Sequence, residues 1–209
     1  MTWTDAKRCS WKTNASDPET DADACTASLA TESEPFLSSK PIRCVDWCDA
    51  RELCLWAGKD LCGSPNSTFI GSTDPMELPD EWGIACSPTA DAFPYGRTAE
   101  TERCHVGLCS DNPFEQRCSA ARTGTFQRCK GATGAEDMVG NVSEWVFACA
   151  RGADGGPATE CGHRGGAFLD SLESASCQSH GLRARNTRDR RIGLRCCSKL
   201  SATELALVK

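Results

Sequence analysis

Apolar positions first recur regularly after residue 45. Ala50, Leu53 and Ala57 follow one another at helical spacing, which predicts an amphipathic helix. Asp46 stands where an N-cap would and Gly58 where a left-handed stop would, so the helix should begin after Asp46 and end before Gly58.

The remaining pattern predicts a loop-rich chain. A second, shorter helix should cover Asp80 to Cys86, and residues 87–135 show few periodic segments. Strand-like runs come late in the chain, at Glu144–Ala148, Gly166–Leu169 and Ile192–Cys196. Early helices, late short strands and no convincing linker predict one mixed α+β domain over residues 1–209.

Cysteine content decides the broad class. Sixteen of 209 residues are cysteine, an even number that favours a disulfide framework in an oxidising, extracytoplasmic compartment. No C-x-x-C pair is present, as most zinc knuckles would need. The acidic stretch 13–40 should be a surface loop tied down by Cys9 and Cys25. Because charged residues follow Met1 closely, we expect that a leader peptide is absent from this chain.

Charge and hydropathy narrow the choice of partners. The net charge is −6, and no apolar run reaches the 18 or so residues of a membrane span. Six arginines fall in residues 183–195. The acidic remainder argues against nucleic acid, so we expect these arginines to pair with carboxylates or backbone carbonyls.

Four motifs in a fixed order then carry a family resemblance. The chain resembles the formylglycine-generating enzyme, or sulfatase-modifying factor, family over residues 42–197, through the segments Val45–Ala50 with Trp56–Lys59, Asp137–Trp145, Arg164–Phe168 and Ile192–Cys196. The resemblance implies a C-type-lectin-like α+β fold with short twisted antiparallel strands and little regular structure. Residues 1–41 would then be a truncated N-terminal element with its acidic loop, and residues 198–209 a tail.

The resemblance also implies a calcium site. Family members hold one ion with the groups that correspond here to the Asp137 and Glu144 carboxylates and the Gly140 and Val142 carbonyls. Hard oxygen ligands across a Gly-Asn turn suit Ca²⁺. The alternative is that both carboxylates cap turns and pair with arginines. A second family calcium site would fall near His105, a poor ligand for a hard cation, and should be lost or altered.

Copper chemistry is the family activity that the residues argue against. The enzymes bind Cu(I) through two thiolates five residues apart, positions that correspond here to Leu172 and Cys177. Leucine cannot bind copper, so Cys177 would be catalytic only if the oxidase interpretation held, and we expect no Cu(I) centre. A zinc site made by Cys161, His163, Cys177 and His180 is a weaker alternative.

Three disulfide bonds are predicted. The resemblance implies Cys54–Cys196, which would tie the first helix to the last strand. Cys62–Cys86 is a candidate local staple. Cys197 should face away from Cys196 because side chains alternate along a strand, with Cys44 as its candidate partner.

Tryptophans and glycosylation sequons receive structural interpretations. Trp47, Trp56, Trp82 and Trp145 fall on motif positions and are predicted to pack in the core. Asn14, Asn66 and Asn141 lie in N-x-S/T sequons, and Asn141, inside the predicted calcium turn, should be structural.

Two functions from different classes follow. The first is an extracytoplasmic, disulfide- and calcium-stabilised domain that has lost copper chemistry and acts as a binding or surface-structural module. Its partner would be a protein, peptide or glycan. The alternative is a copper-dependent oxidase that converts a peptide cysteine to formylglycine.

Overall fold

Two helices and six strands form the part of the chain that the structure describes. The computed structural model describes Cys9, Cys25 and residues 39–63, 80–107, 118–131, 133–150 and 159–198. Its helices are α1 (Trp47–Trp56) and α2 (Glu81–Cys86), and its strands are β1 (Asp60–Leu61), β2 (Ser143–Ala150), β3 (Glu160–Arg164), β4 (His180–Ala184), β5 (Ile192–Leu194) and β6 (Cys196–Cys197). This mixture confirms the predicted α+β class.

Both helices begin at an aspartate cap. Asp46 Oδ1 accepts a hydrogen bond of 2.9 Å from the Asp49 backbone N–H at the start of α1, which satisfies one of the donors that a helix N-terminus leaves unpaired. Asp80 does the same for Gly83 in α2, at 2.6 Å. The chain leaves α1 through Gly58, whose φ of +73° is the predicted left-handed stop.

Strand β2 is central to the main sheet. The sheet order is β4–β3–β2–β5, with β5 parallel to β2 and the other pairs antiparallel. Glu144 on β2 therefore lies between Arg164 on β3 and Gly193 on β5. Strands β1 and β6 form a separate antiparallel pair.

Strand prediction succeeded only in part. Segments predicted at 144–148 and 192–196 contain strands, although the second is divided into β5 and β6. The Gly166–Leu169 strand is wrong, because Gly165 and Gly166 adopt φ values of +91° and +73° that turn the chain. Strands β3 and β4 have no strict alternation of apolar residues and were not predicted.

Two main clusters of apolar side chains form the core. One packs Trp82 with Met138, Val146 and the Cys86–Cys177 bond, and the other packs Trp47, Leu61 and Trp145. The core prediction for Trp56 is wrong, because this side chain is 86% exposed. Trp56 is the last residue of α1 and does not lie on the helix face that buries Trp47 and Cys54.

Seven disulfide bonds join described cysteines, namely Cys9–Cys48, Cys25–Cys44, Cys54–Cys196, Cys62–Cys197, Cys86–Cys177, Cys104–Cys129 and Cys149–Cys161. The bond implied by the resemblance, Cys54–Cys196, is therefore confirmed. Cys9 and Cys25 also anchor the N-terminal region, to Cys48 and Cys44. Among the described cysteines none is free.

The other two predicted bonds, Cys62–Cys86 and Cys44–Cys197, are wrong, and strand register explains why. Asp60 lies opposite Cys197 in the β1–β6 pair, which brings Cys62 close to Cys197. Alternation along β6 does point its two cysteines to different clusters, Cys196 to that of Trp47 and Cys197 to that of Trp82. Cys86 is left to bond Cys177 across 91 residues.

No helix within the described ranges is long and apolar enough to cross a membrane.

Candidate functional site

The segment from Asp137 to Glu144, called the 137–144 turn below, folds tightly against the loop that contains His105. Gly140 adopts φ +76°, and a Cβ added there would lie 2.5 Å from the His105 carbonyl oxygen. The same oxygen accepts a 2.9 Å hydrogen bond from the Asn141 N–H. Only glycine fits at position 140, so backbone contacts fix the course of the turn.

Asn141 has a structural role, as its sequence position predicted. Its side chain is buried and its Oδ1 accepts a 2.9 Å hydrogen bond from the Ala121 N–H, while its carbonyl accepts one of 3.0 Å from the Phe168 N–H. The residue adopts φ +57°, a left-handed conformation that asparagine tolerates better than most residues.

Asp137 presents a buried carboxylate at the start of the turn. Its Oδ2 accepts a 2.7 Å hydrogen bond from the Gly124 N–H. Burial raises the pKa of Asp137 above its ordinary value, while the Gly124 hydrogen bond and the charge of Arg195 act in the opposite direction. The charge of Glu144 adds to the rise, which indicates that the two carboxylates lie within each other's electrostatic field.

Glu144, at the other end of the turn, is engaged by two side chains. The Arg195 guanidinium donates to Glu144 Oε1 through Nε and Nη2, at 3.0 and 2.8 Å, and to Oε2 through Nε at 2.9 Å. Trp82 Nε1 donates to Oε2 at 2.7 Å. The negative charge of Glu144 raises the pKa of Arg195 further above its ordinary value, and charge-assisted hydrogen bonds of this kind are among the stronger ones in proteins.

These contacts test whether the predicted ligands fit calcium. Three N–H groups, Arg195 Nε, Arg195 Nη2 and Trp82 Nε1, donate to the Glu144 carboxylate, and its two oxygens share the single Nε proton. They occupy about three of the four acceptor positions of the carboxylate. An ion would also have to sit beside the positively charged Arg195. As arranged, Glu144 is the ion-pair partner of Arg195, and its charge also acts on Asp137. No group of three or more His, Cys, Asp or Glu side chains in the described ranges is placed to hold a metal.

A second buried ion pair lies next to the first. Arg164 Nη1 donates to both carboxylate oxygens of Asp80 at 2.8 Å, and its guanidinium carbon lies 4.6 Å from the ring centre of Trp82. Arg164 Nη2 donates to the Cys177 carbonyl at 2.8 Å. Trp82 therefore contacts both ion pairs. A continuous series of contacts runs from Cys177 through Arg164 and Trp82 to Glu144.

At the position that corresponds to the copper centre, Cys177 is consumed by a disulfide bond. Its sulfur is bonded to that of Cys86 on α2, and the residue is 4% exposed. Leu172, at the other ligand position, packs against the same apolar cluster. Two side chains that would have to present thiolates thus present a leucine and half of a disulfide.

The weaker zinc hypothesis is excluded by the same chemistry. Cys161 is bonded to Cys149, and Cys177 to Cys86, so neither sulfur offers a thiolate. His163 instead joins β3 to β2. Ser143 Oγ donates to the Arg164 carbonyl at 2.8 Å, and it therefore accepts from His163 Nδ1 at 2.7 Å.

That arrangement fixes the tautomer of His163. With the proton on Nδ1, Nε2 is a buried acceptor, and it has no hydrogen-bond partner within the described residues. Burial is the largest cause that lowers the pKa of His163 to about 4, followed by the charge of Arg183. His163 is thus a neutral side chain that fastens two strands together.

Comparison with known proteins decides the family. The sulfatase-modifying factor enzyme 1-like domain matches residues 2–200 of this chain. The chain belongs to this family. The match confirms the resemblance seen in the motifs and extends it beyond residues 42–197 at the N-terminal end.

Solved structures support the same fold. PvdO from Pseudomonas aeruginosa is similar with a TM-score of 0.53 and 19% identity, over 74% of this chain and 60% of that chain. CarF is similar with a TM-score of 0.52 and 17% identity, over 78% of this chain and 69% of that chain. The chain thus spans about three fifths of PvdO. No curated protein sequence matches it.

Sequence reasoning found the turn and gave arginines as the alternative partners of its carboxylates, without saying which arginine. Arg195 was placed in the closing motif and among the six arginines of residues 183–195, and Trp82 was placed in the core. The signal that could have connected them is motif order: family members place an arginine two residues after the glycine of the closing motif and a glutamate before the tryptophan of the turn. Strand pairing of β2 with β5 brings these two motifs together.

Proposed function

We propose that this chain is a member of the sulfatase-modifying factor family that has lost copper chemistry and acts as a binding or surface-structural module. The Cys86–Cys177 bond carries the proposal. Cu(I) requires soft, deprotonated sulfur ligands, and a disulfide sulfur has no thiolate charge to offer. Leu172, at the first ligand position, supplies no donor atom.

The disulfide framework supports an extracytoplasmic location. Seven bonds join described cysteines, and frameworks of this density form and persist in oxidising compartments. Several bonds link distant segments, such as Cys54–Cys196 across 142 residues. A rigid scaffold of this kind suits the presentation of surface loops to a protein, peptide or glycan ligand.

A thiol count tests the lost chemistry directly. The non-reduced protein is alkylated under denaturing conditions, and its intact mass is compared with that of the fully reduced and alkylated protein. We expect no alkylation without reduction. Cu(I) titration with a chromophoric competitor should then show no high-affinity site. A free thiol at Cys177 together with stoichiometric Cu(I) binding would favour the oxidase alternative instead.

Activity provides the second arm of this test. A cysteine-containing peptide is incubated with the copper-treated protein, and formylglycine formation is followed by the mass change of the peptide. We expect none. A Cys86→Ala variant, which releases the Cys177 thiol, is the matched control: it should also be inactive, because Leu172 still leaves Cu(I) with one ligand. Turnover by the wild-type chain would overturn the proposal.

The binding role is tested separately. Labelled, fully oxidised protein is applied to a glycan array and to a peptide library, with the reduced and alkylated protein as the control for folding. Saturable binding to one ligand class by the oxidised form alone would support the module, and would also name its ligand. Absence of any ligand would leave surface architecture as the role.

Calcium stabilisation is a prediction that the contacts of Glu144 weaken. An ion bound by Glu144 would have to lie beside the Arg195 guanidinium, which donates to both oxygens of the carboxylate. Calcium stabilisation of the module remains a proposal, and thermal melting with and without a chelator tests it, because an ion bound only to the folded chain would raise the melting temperature.

A further inference from the structure

One disulfide bond lies directly across the main sheet. Cys149 on β2 and Cys161 on β3 are opposite each other in the antiparallel register, and their Cα atoms are 3.9 Å apart. The other six bonds between described cysteines have Cα–Cα distances of 4.8–5.9 Å. Opposed residues of an antiparallel pair are normally about 4.5–5.5 Å apart. The bond therefore holds the two strands closer together than their pairing would, and bonds held outside the usual Cα–Cα range are more easily reduced.

The sheet is interrupted beside this bond. The register of β2 against β3 shifts between Trp145 and Cys149, and a shift of this kind disrupts the hydrogen-bond ladder locally. Two pairs lie beyond the shift, Cys149 with Cys161 and Ala150 with Glu160. Because β2 stays paired with β3 and β5 on the other side of the shift, this end of the hairpin can separate while the rest of the sheet keeps its order.

One sulfur of the bond lies on the accessible side. Cys149 is partly buried, whereas Cys161 is 1% exposed and packs in the apolar cluster that contains Trp47. A thiol from solution therefore reaches the bond through Cys149. Burial among apolar groups also disfavours the thiolate form of Cys161, so the pair closes again readily once the reductant is removed.

Loss of this bond should cost the fold least. It closes 12 residues, the shortest segment closed by any of the seven bonds between described cysteines. The stabilisation that loop closure supplies grows with the length of the closed segment. We therefore expect the chain to stay folded when this bond alone is reduced.

We propose that Cys149–Cys161 is a reversible redox site, opened by a dithiol of the thioredoxin class while the other described bonds stay closed. A thiolate of the dithiol attacks Cys149 Sγ, the S–S bond breaks, and Cys161 leaves as a thiolate that takes up a proton. The second thiol of the reductant attacks the mixed disulfide, Cys149 leaves and takes up the second proton, and the reductant becomes a disulfide. Two electrons thus pass to the pair, and the end of the hairpin is released.

Reduction of the folded protein is the experiment. The wild-type chain is titrated with dithiothreitol, free thiols are blocked with N-ethylmaleimide before denaturation, and labelled cysteines are identified by peptide mass mapping. Cys149 and Cys161 should be labelled together, at a reductant concentration roughly tenfold below that needed for any other described bond. Hydrogen exchange should then rise at this end of β2 and β3 and stay unchanged at β5.

A single-cysteine reductant tests the point of attack. A thioredoxin-type protein whose resolving cysteine is replaced by serine cannot complete the exchange and stays attached to the sulfur that it attacks. We expect the adduct at Cys149. An adduct at Cys161, or no adduct where dithiothreitol opens the bond, would contradict the proposed route.

Two double variants serve as controls. Cys149→Ser/Cys161→Ser should take up no label at the reductant concentration that opens the wild-type bond. Cys104→Ser/Cys129→Ser, which lacks a buried bond that closes 25 residues, should still be labelled at Cys149 and Cys161.

Two results with the wild-type chain would overturn the inference, and neither needs a variant to fold. The first is that another described bond is labelled before Cys149–Cys161. The second is that all bonds are labelled together as the chain unfolds. These readouts involve neither copper nor a bound ligand, so they are independent of the proposed function.

Discussion

The family resemblance assigns metal ligands to two regions, the copper position and the 137–144 turn, and the described contacts of these regions differ. At the copper position the ligands themselves are gone, since Leu172 has no donor atom and Cys177 is bonded to Cys86. In the turn both carboxylates, Asp137 and Glu144, are kept, but Glu144 has a guanidinium as its partner. The described contacts therefore differ in kind: a covalent bond at the copper position and an ion pair in the turn.

This difference shows that the residue types of a ligand set do not define a metal site. At the copper position, inspection of the sequence suffices, because leucine cannot bind copper in any environment. In the turn both carboxylates are present in the sequence, and only the contacts of Glu144 show that Arg195 is its partner. The two regions are nevertheless connected, because Trp82 contacts Arg164 on one side and Glu144 on the other.

The largest expected effect is on the covalently closed region. A Cys86→Ala/Cys177→Ala variant removes a bond that closes 91 residues, and chain entropy predicts a loss of about 4.5 kcal/mol in the free energy of unfolding. Urea denaturation measures it. Cys104→Ala/Cys129→Ala, which opens 25 residues, is the control and should lose about 3.5 kcal/mol. Equal stability of the first variant and the wild type would show that this bond does not constrain the chain.

A smaller effect, dependent on pH, is expected at the strand that joins the two regions. The pKa of His163 is lowered to about 4 in the folded chain, against about 6.5 when unfolded. The folded chain therefore takes up this proton less readily than the unfolded chain. The contribution of His163 to the free energy of unfolding is complete above pH 6.5 and is lost as the pH falls towards 4. The loss should be about 3 kcal/mol.

Urea denaturation at several pH values between 7 and 4 measures that loss. His163→Asn should show a flatter profile over this range, whereas His180→Asn, at an exposed histidine on β4, should keep the wild-type slope. An unchanged slope in His163→Asn would mean that the buried imidazole is not the group that responds to acid.

The smallest effect is expected in the turn itself. Because burial raises the pKa of Asp137, the fold disfavours its ionised form, and this penalty grows as the pH rises above the unfolded value. Asp137→Asn keeps an acceptor for the Gly124 N–H and tolerates the φ of +55°. The free energy of unfolding at pH 7 should therefore change by no more than about 0.5 kcal/mol.

Chemical denaturation of Asp137→Asn in EDTA and in calcium checks this expectation. A loss of several kcal/mol that appears only in calcium would show that the Asp137 charge serves a bound ion. The contrast between the two regions would then be one between a retained calcium site and a copper position at which Cys177 is bonded to Cys86.

Prediction from sequence was most successful where local chemistry decides the structure. Helix α1 begins after Asp46 and ends before Gly58 as predicted, because a cap and a left-handed stop act within one helical turn. The Gly166–Leu169 strand failed because a pair of glycines can form either a strand or a turn. Trp56 failed because the motif gives its place in the chain but not the direction of its side chain.

The sequence by itself determined the family, the α+β class, the absence of a metal-binding side chain at Leu172 and the Cys54–Cys196 bond. Motif order and residue chemistry are enough for these results, because neither depends on three-dimensional position. Tertiary structure decided the disulfide partners of Cys62, Cys86 and Cys44, and it decided that Glu144 pairs with Arg195. These pairings join residues that are distant in the chain, and the register of short strands, which carry almost no pattern of their own, determines which of them meet.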